Sequence, residues 1–255
     1  MQMKKIFYSI LIAFFILFGT NIQSQTFGFG CLGFVSGYGG YTYQGFNANG
    51  LNEFVRQFNE SKSSSLQSDL KEFKYATGYR VGINIFRASF EGGFMVSAKG
   101  YYQSISKKNE VTENSTEGAT NYSFDLDLKN WAIGFDVGID LSAGISWKIL
   151  DGAIHFNKVK LTNTVNHPGE TEINKFISDD NVVGYSFGTG LIVYLIKDYI
   201  SIEGLAGYTV LKIDEMKLED GTPFPPDPYN TQEPGNFIDS GGFTAVVQLN
   251  VGFPL

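Results

Sequence analysis

Cysteine, histidine and tryptophan are scarce in this chain: one Cys, two His and two Trp among 255 residues. A lone Cys excludes an intrachain disulfide framework and any Cys-rich zinc site. Charged residues make up only 18% of the chain, and 19 basic residues face 26 acidic ones for a net charge of −7. That balance argues against nucleic acid as a partner, because phosphate binding needs clustered cations. Mean hydropathy is nevertheless −0.07, too high for a disordered acidic chain and too low for a helical membrane protein. Long apolar runs are also missing after residue 24. The longest, Leu191-Ile192-Val193-Tyr194-Leu195-Ile196, stops at Lys197-Asp198, far short of the roughly 20 residues a membrane-spanning helix needs.

The N-terminus has the three parts of an export signal. Lys4 and Lys5 precede an apolar stretch from Ile6 to Phe18, and Ile22-Gln23-Ser24 places a small residue before the expected cut. The division that follows is a signal peptide over 1–24 and one domain over 25–255. Loss of Lys4 and Lys5 leaves 17 basic and 26 acidic residues, or −9. Cys31 does not suggest a lipoprotein, since Gly28-Phe29-Gly30 lacks a small-residue box and lies well past the apolar run.

Glycine and the aromatics are what the mature chain has in quantity: 30 Gly, 23 Phe and 14 Tyr. They are arranged with period two, the signature of strands. In the last segment Phe243, Ala245, Val247, Leu249, Val251 and Phe253 share one face. From Trp131 to Ile149 the odd positions are large and apolar, whereas the even ones are Ala, Gly, Asp, Ser and Lys; Tyr75 to Ile85 repeats the pattern. A soluble sandwich would hide its large residues and expose Lys, Glu and Thr. Here the second face is too small and Gly-rich for a solvated surface. The pattern suits a narrow barrel, apolar towards lipid and tight and polar within, and closure follows because every backbone group in lipid must be paired.

Eight strands are expected, at about 26–45, 73–86, 89–106, 131–149, 153–164, 181–196, 199–213 and 239–253. Short turns fall at Arg87-Ala88, Leu150-Asp151-Gly152 and Lys197-Asp198, with Ser142-Ala143-Gly144 as an alternative for the second. Long connections run over 46–72, 107–130, 165–180 and 214–238. Short periplasmic turns opposite long extracellular loops are the outer-membrane arrangement. The fold class is therefore all-β, a closed antiparallel transmembrane barrel.

The long segments differ in chemistry. Leu51, Phe54, Val55 and Phe58 follow Asn49 at helical spacing and predict a short amphipathic helix over 49–60, as a lid, a plug, a partner contact or an ordered loop on the rim. Tyr122, Phe124, Leu126 and Leu128 are apolar at even positions, whereas the strand from Trp131 is apolar at odd ones. Either a bulge near Lys129-Asn130 or an extension above the membrane accounts for the change. The last loop carries Pro223, Pro225, Pro226, Pro228 and Pro234 beside several acids, without calcium-loop spacing, and reads as a stiff solvated loop. His155 and His167 sit in no Ser/His motif, so neither enzyme chemistry nor a cofactor or metal is expected.

The residue-level signal is a set of inward charges: Arg80, Glu91, Lys99, Asp136, Asp140, Lys148 and Glu203. Buried charges need partners, which predicts an interior ion-pair network, with Lys99 and Asp140 at matching heights. A narrow ion path is the rival reading, although eight strands leave room for little more than side chains.

By its export signal, alternation, turn and loop asymmetry and terminal strand, the span 25–255 resembles the small outer-membrane β-barrel family of the OmpA transmembrane domain and OmpX. The resemblance implies residence in the outer membrane, contact with its lipid, and Phe253 as the address read by the outer-membrane assembly machinery, although Pro254-Leu255 follow it. It also implies a non-enzymatic protein acting structurally or through its extracellular loops, with a pore or transporter for small or apolar ligands as the alternative. A soluble lipocalin-type barrel would have to enclose nearly all the aromatics.

Overall fold

A computed structural model describes residues 36–90, 92–116, 118–196, 199–225, 229 and 235–252. The export signal, Glu91 and Phe253 lie outside the described residues. Among those described are nine strands and one helix: β1 (Ser36–Asn47), α1 (Asn49–Ser61), β2 (Tyr75–Ser89), β3 (Phe94–Ser115), β4 (Gly118–Ser142), β5 (Ile145–His167), β6 (Glu170–Ile177), β7 (Val182–Ile196), β8 (Ile200–Val210) and β9 (Ser240–Gly252). Every pairing is antiparallel, and β1-β2-β3-β4-β5-β7-β8-β9 close into a ring through β1 against β9. Closure removes the sheet edges that lipid could not satisfy. β6 stands outside the ring and pairs with the far end of β5, from Lys160↔Ile177 to His167↔Glu170.

β4 shows why this sequence makes this barrel. Its even residues point inward along most of its length, but their chemistry changes half-way. At Asn130, Ala132, Gly134, Asp136 and Gly138 the inside is small and polar, while Trp131 and Ile133 outside are 66% and 65% exposed. Beyond that level Phe124, Leu126 and Leu128 are buried inside, and Ser123, Asp125 and Asp127 face out. Pairing with β3 and β5 runs without a shift from Asn121 to Val137. There is therefore no bulge at Lys129-Asn130. The strand continues above the membrane, and its two faces exchange polarity because lipid outside gives way to water.

The outward apolar residues of β4 from Trp131 to Leu141 cover about 33 Å of strand. A tilt of about 40° reduces this to the roughly 25 Å apolar band of outer-membrane barrels. The chain is an eight-stranded transmembrane β-barrel.

The hairpin ends correct three expectations. The second turn is at Ser142-Ala143-Gly144, not 150–152. Residues 149–150 form a bulge instead: register slips between Lys148 and Asp151 against β7 and beside Val137 against β4. Ile149 and Leu150 both face outward as a result, at 43% and 40% exposure, while Lys148 and Asp151 both turn into the lumen. The first turn lies beyond Ser89 rather than at Arg87-Ala88, since an irregularity between Asn84 and Phe86 carries β2 onward. There Gly92 and Gly93 take φ of 86° and 79°, backbone that glycine adopts without a Cβ penalty. The expected loops 107–130 and 165–180 are largely the β3–β4 and β5–β6 hairpins projecting past the bilayer. β7 ends at Ile196 and β8 begins at Ile200; the expected turn residues Lys197 and Asp198 lie outside the described residues.

Above the membrane the projecting strands enclose an apolar core that α1 completes. Leu51, Phe54, Val55 and Phe58 are buried against Phe124, Leu126, Leu161, Phe176 and Phe224, with edge-to-face rings such as Phe54–Phe124 at 5.5 Å. Two asparagines fix the helix, each bonding both the N–H and the C=O of one distant residue. Asn52 Nδ2 donates to Phe73 O at 3.1 Å, and Phe73 N donates to Asn52 Oδ1 at 2.7 Å. Asn59 does the same with Leu70, at 2.9 and 2.8 Å. Segment 70–73 is thereby held along α1.

Candidate functional site: the charged lumen and its cap

Within the bilayer, among the described residues, β2, β3, β4, β5 and β8 bring three cations and three carboxylates into one cluster in the lumen. Lys99 Nζ lies 2.8 Å from Asp136 Oδ1 and also bonds Asp151. Lys148 Nζ lies 2.9 Å from Asp136 Oδ2 and 3.8 Å from Asp151, and it bonds Glu203. Ser97 Oγ donates to Asp136 at 2.8 Å. Glu203 also accepts from Gln248 at 3.3 Å and Asn250 at 3.2 Å. These charges are buried, which is tolerable only because each carboxylate and each ammonium has partners.

Arg80 joins the set differently. It is buried, donates Nε and Nη2 to Gln103 Oε1 at 3.1 and 2.9 Å, and lies 4.1 Å from the Tyr101 ring centroid. Two lysines against Asp136, Asp151 and Glu203 leave one negative charge, and Arg80 brings the sum over these six residues to zero; Arg87, in register with Ser97, stands apart from them.

Of the seven residues read as inward charges, the lumen therefore brings together Lys99, Asp136, Lys148 and Glu203, with Arg80 beside them. Asp140 does not belong. It is exposed at the short-turn rim of the barrel, where Ser146 Oγ donates to it at 2.5 Å. The proposed Lys99–Asp140 pair fails because the turn at 142–144 places Asp140 almost at the strand end. Lys99 is in register with Gly134, so the next inward carboxylate is Asp136. Asp151 was missed as a turn residue. Counting back from the true turn brings Asp136 directly opposite Asp151, a like-charge pair that would repel without the two lysines beside it. Gln103, Gln248 and Asn250 carried no signal beyond their inward parity.

The fold also makes a contact that no sequence motif announced. His155 Nε2 lies 2.7 Å from Ser186 Oγ and 3.3 Å from Tyr101 Oη. Its Nδ1, however, is buried without a partner among the described residues, so no carboxylate orients the ring as a general base requires. His167 Nδ1 meets Thr120 Oγ1 at 3.1 Å near the hairpin tips. Among the described residues, no three His, Cys, Asp or Glu side chains are grouped to hold a metal.

No protein-family model matches this chain, and no curated protein matches it. Solved structures that resemble it in outline include two of one protein. Ail, the attachment invasion locus protein of Yersinia pestis, is 15% identical, and Ail in complex with the heparin analogue sucrose octasulfate is 14% identical. In both cases the match covers 86% of this chain and 97% of Ail, with a TM-score of 0.39. The likeness is distant, and the assignment of fold rests on the closed ring of strands.

Above the charges an amide layer separates lumen from cap. Gln103 Nε2 donates to Gln44 Oε1 at 3.2 Å, and Asn157 Nδ2 donates to Val182 O at 2.9 Å. The apolar core lies over this layer. At the outer end a polar clasp ties the segment after α1 to the β3–β4 hairpin. Glu113 accepts from Lys62 Nζ at 2.7 Å, Tyr122 Oη at 2.7 Å and Ser65 Oγ at 2.8 Å. Partial burial alone would raise the Glu113 carboxyl, but these hydrogen bonds and the Lys62 charge outweigh it and hold it down to about 2. Partial burial would lower Lys62; bonding to Glu113 and Tyr122 raises it instead.

Proposed function

We propose that this protein is an integral outer-membrane β-barrel, exported through residues 1–24 and forming one domain from residue 25. It is non-enzymatic and works through the folded cap it holds above the outer leaflet. Its constitutive partners are outer-membrane lipid and, during biogenesis, the assembly machinery that reads Phe253.

One observation carries this reading: the strands run unbroken from an apolar-outside barrel into an apolar-inside cap. The lower half suits lipid and offers the lumen to paired charges. The upper half is a small water-soluble core, rigid enough to present a defined surface. Stacked in series, a charge-filled lumen, an amide layer and an apolar plug oppose passage of ions, which weighs against the pore alternative. The Ser186–His155 contact does not favour catalysis, because it lacks an orienting acid and lies inside the barrel.

Reconstitution into planar bilayers tests the proposal together with limited proteolysis of intact cells. The expected result is no stepwise conductance, with cleavage confined to the hairpin tips. Regular single-channel steps would replace the proposal with the pore reading. Release of the protein by carbonate washing of membranes would overturn membrane residence itself.

A further inference from the structure

We draw no further inference here: the strongest candidate, the small chamber in the middle of the lumen between Arg80, Asp151, Ser186, Leu205 and Thr244, belongs to the charge cluster already described, and nothing in the structure shows what fills it.

Discussion

Replacing Lys99 by Met should be among the most damaging single changes in the membrane-embedded half. The residue is 3% exposed and bridges Asp136 and Asp151, which face one another across β4 and β5. Without it, Lys148 and Arg80 must balance three carboxylates, and two of those are left side by side with one bridging cation. Breaking a buried pair by removing one partner costs about 3–5 kcal/mol. Asp151→Leu alone should cost a similar amount, since it leaves Lys99 with half its partners. In the double variant Lys148 and Arg80 face Asp136 and Glu203, so the charges again sum to zero and part of the loss should return. The coupling between the two positions should then fall in the upper part of the 0.5–3 kcal/mol range of residues that share a network. Urea titration in detergent micelles, followed by the gel mobility of unboiled samples, measures each corner of the cycle. Strictly additive losses would refute the argument. Lys99 paired with Asp140→Leu provides the control, and there additivity is the expected result.

Phe58→Ala removes a ring at the centre of the cap core and should loosen the cap by about 3–5 kcal/mol. Hydrogen exchange should rise over α1 and 62–73, while the mobility of the folded barrel on gels survives; loss of both would show that the cap is not separable from the barrel. For pH, Glu113 has its folded value lowered from 4.5 to about 2. Its contribution is therefore fully present above about 4.5 and is lost as pH falls through 2. Exchange at 62–67 should accelerate across that window, and Glu113→Gln should abolish the dependence; an unchanged profile in the variant would count against the clasp. Gly40→Ala puts a Cβ 2.4 Å from Val247 O at the β1–β9 seam, an overpacking costing about 1–3 kcal/mol, so a smaller folded fraction should appear on unboiled gels. Tags inserted at 116 or 169 should be reachable on intact cells and a tag at 143 should not; equal labelling would overturn the topology.

Much of the membrane-embedded half was legible because lipid imposes one rule on every strand. Trp131, Ile133 and Phe135 alternating with Ala132, Gly134 and Asp136 leave little choice of orientation. The upper half was harder. Its strands obey ordinary soluble rules, so Phe124, Leu126 and Leu128 look out of phase with Trp131, although the register does not change between them. The turn error has a similar origin. Leu150-Asp151-Gly152 has good turn chemistry, and a bulge, which needs only one extra residue, leaves no compositional mark to tell it from a turn. That single displacement concealed Asp151 and lent Asp140 a role it does not have. The helix was legible from the spacing of Leu51, Phe54, Val55 and Phe58, but the grip of Asn52 and Asn59 on Phe73 and Leu70 was not. Such contacts depend on where a distant segment returns, which local pattern does not encode.

The most direct test of the whole account is the level at which the outward face of β4 leaves lipid. Spin labels placed singly at Ser123, Asp127, Trp131, Phe135 and Ile139, in a background lacking Cys31, report collisions with oxygen dissolved in lipid and with a water-soluble nickel chelate. The account predicts that 131, 135 and 139 favour oxygen, that 123 and 127 favour the chelate, and that the change occurs between 127 and 131. Chelate access persisting down to 139, or oxygen preference reaching up to 123, would contradict it.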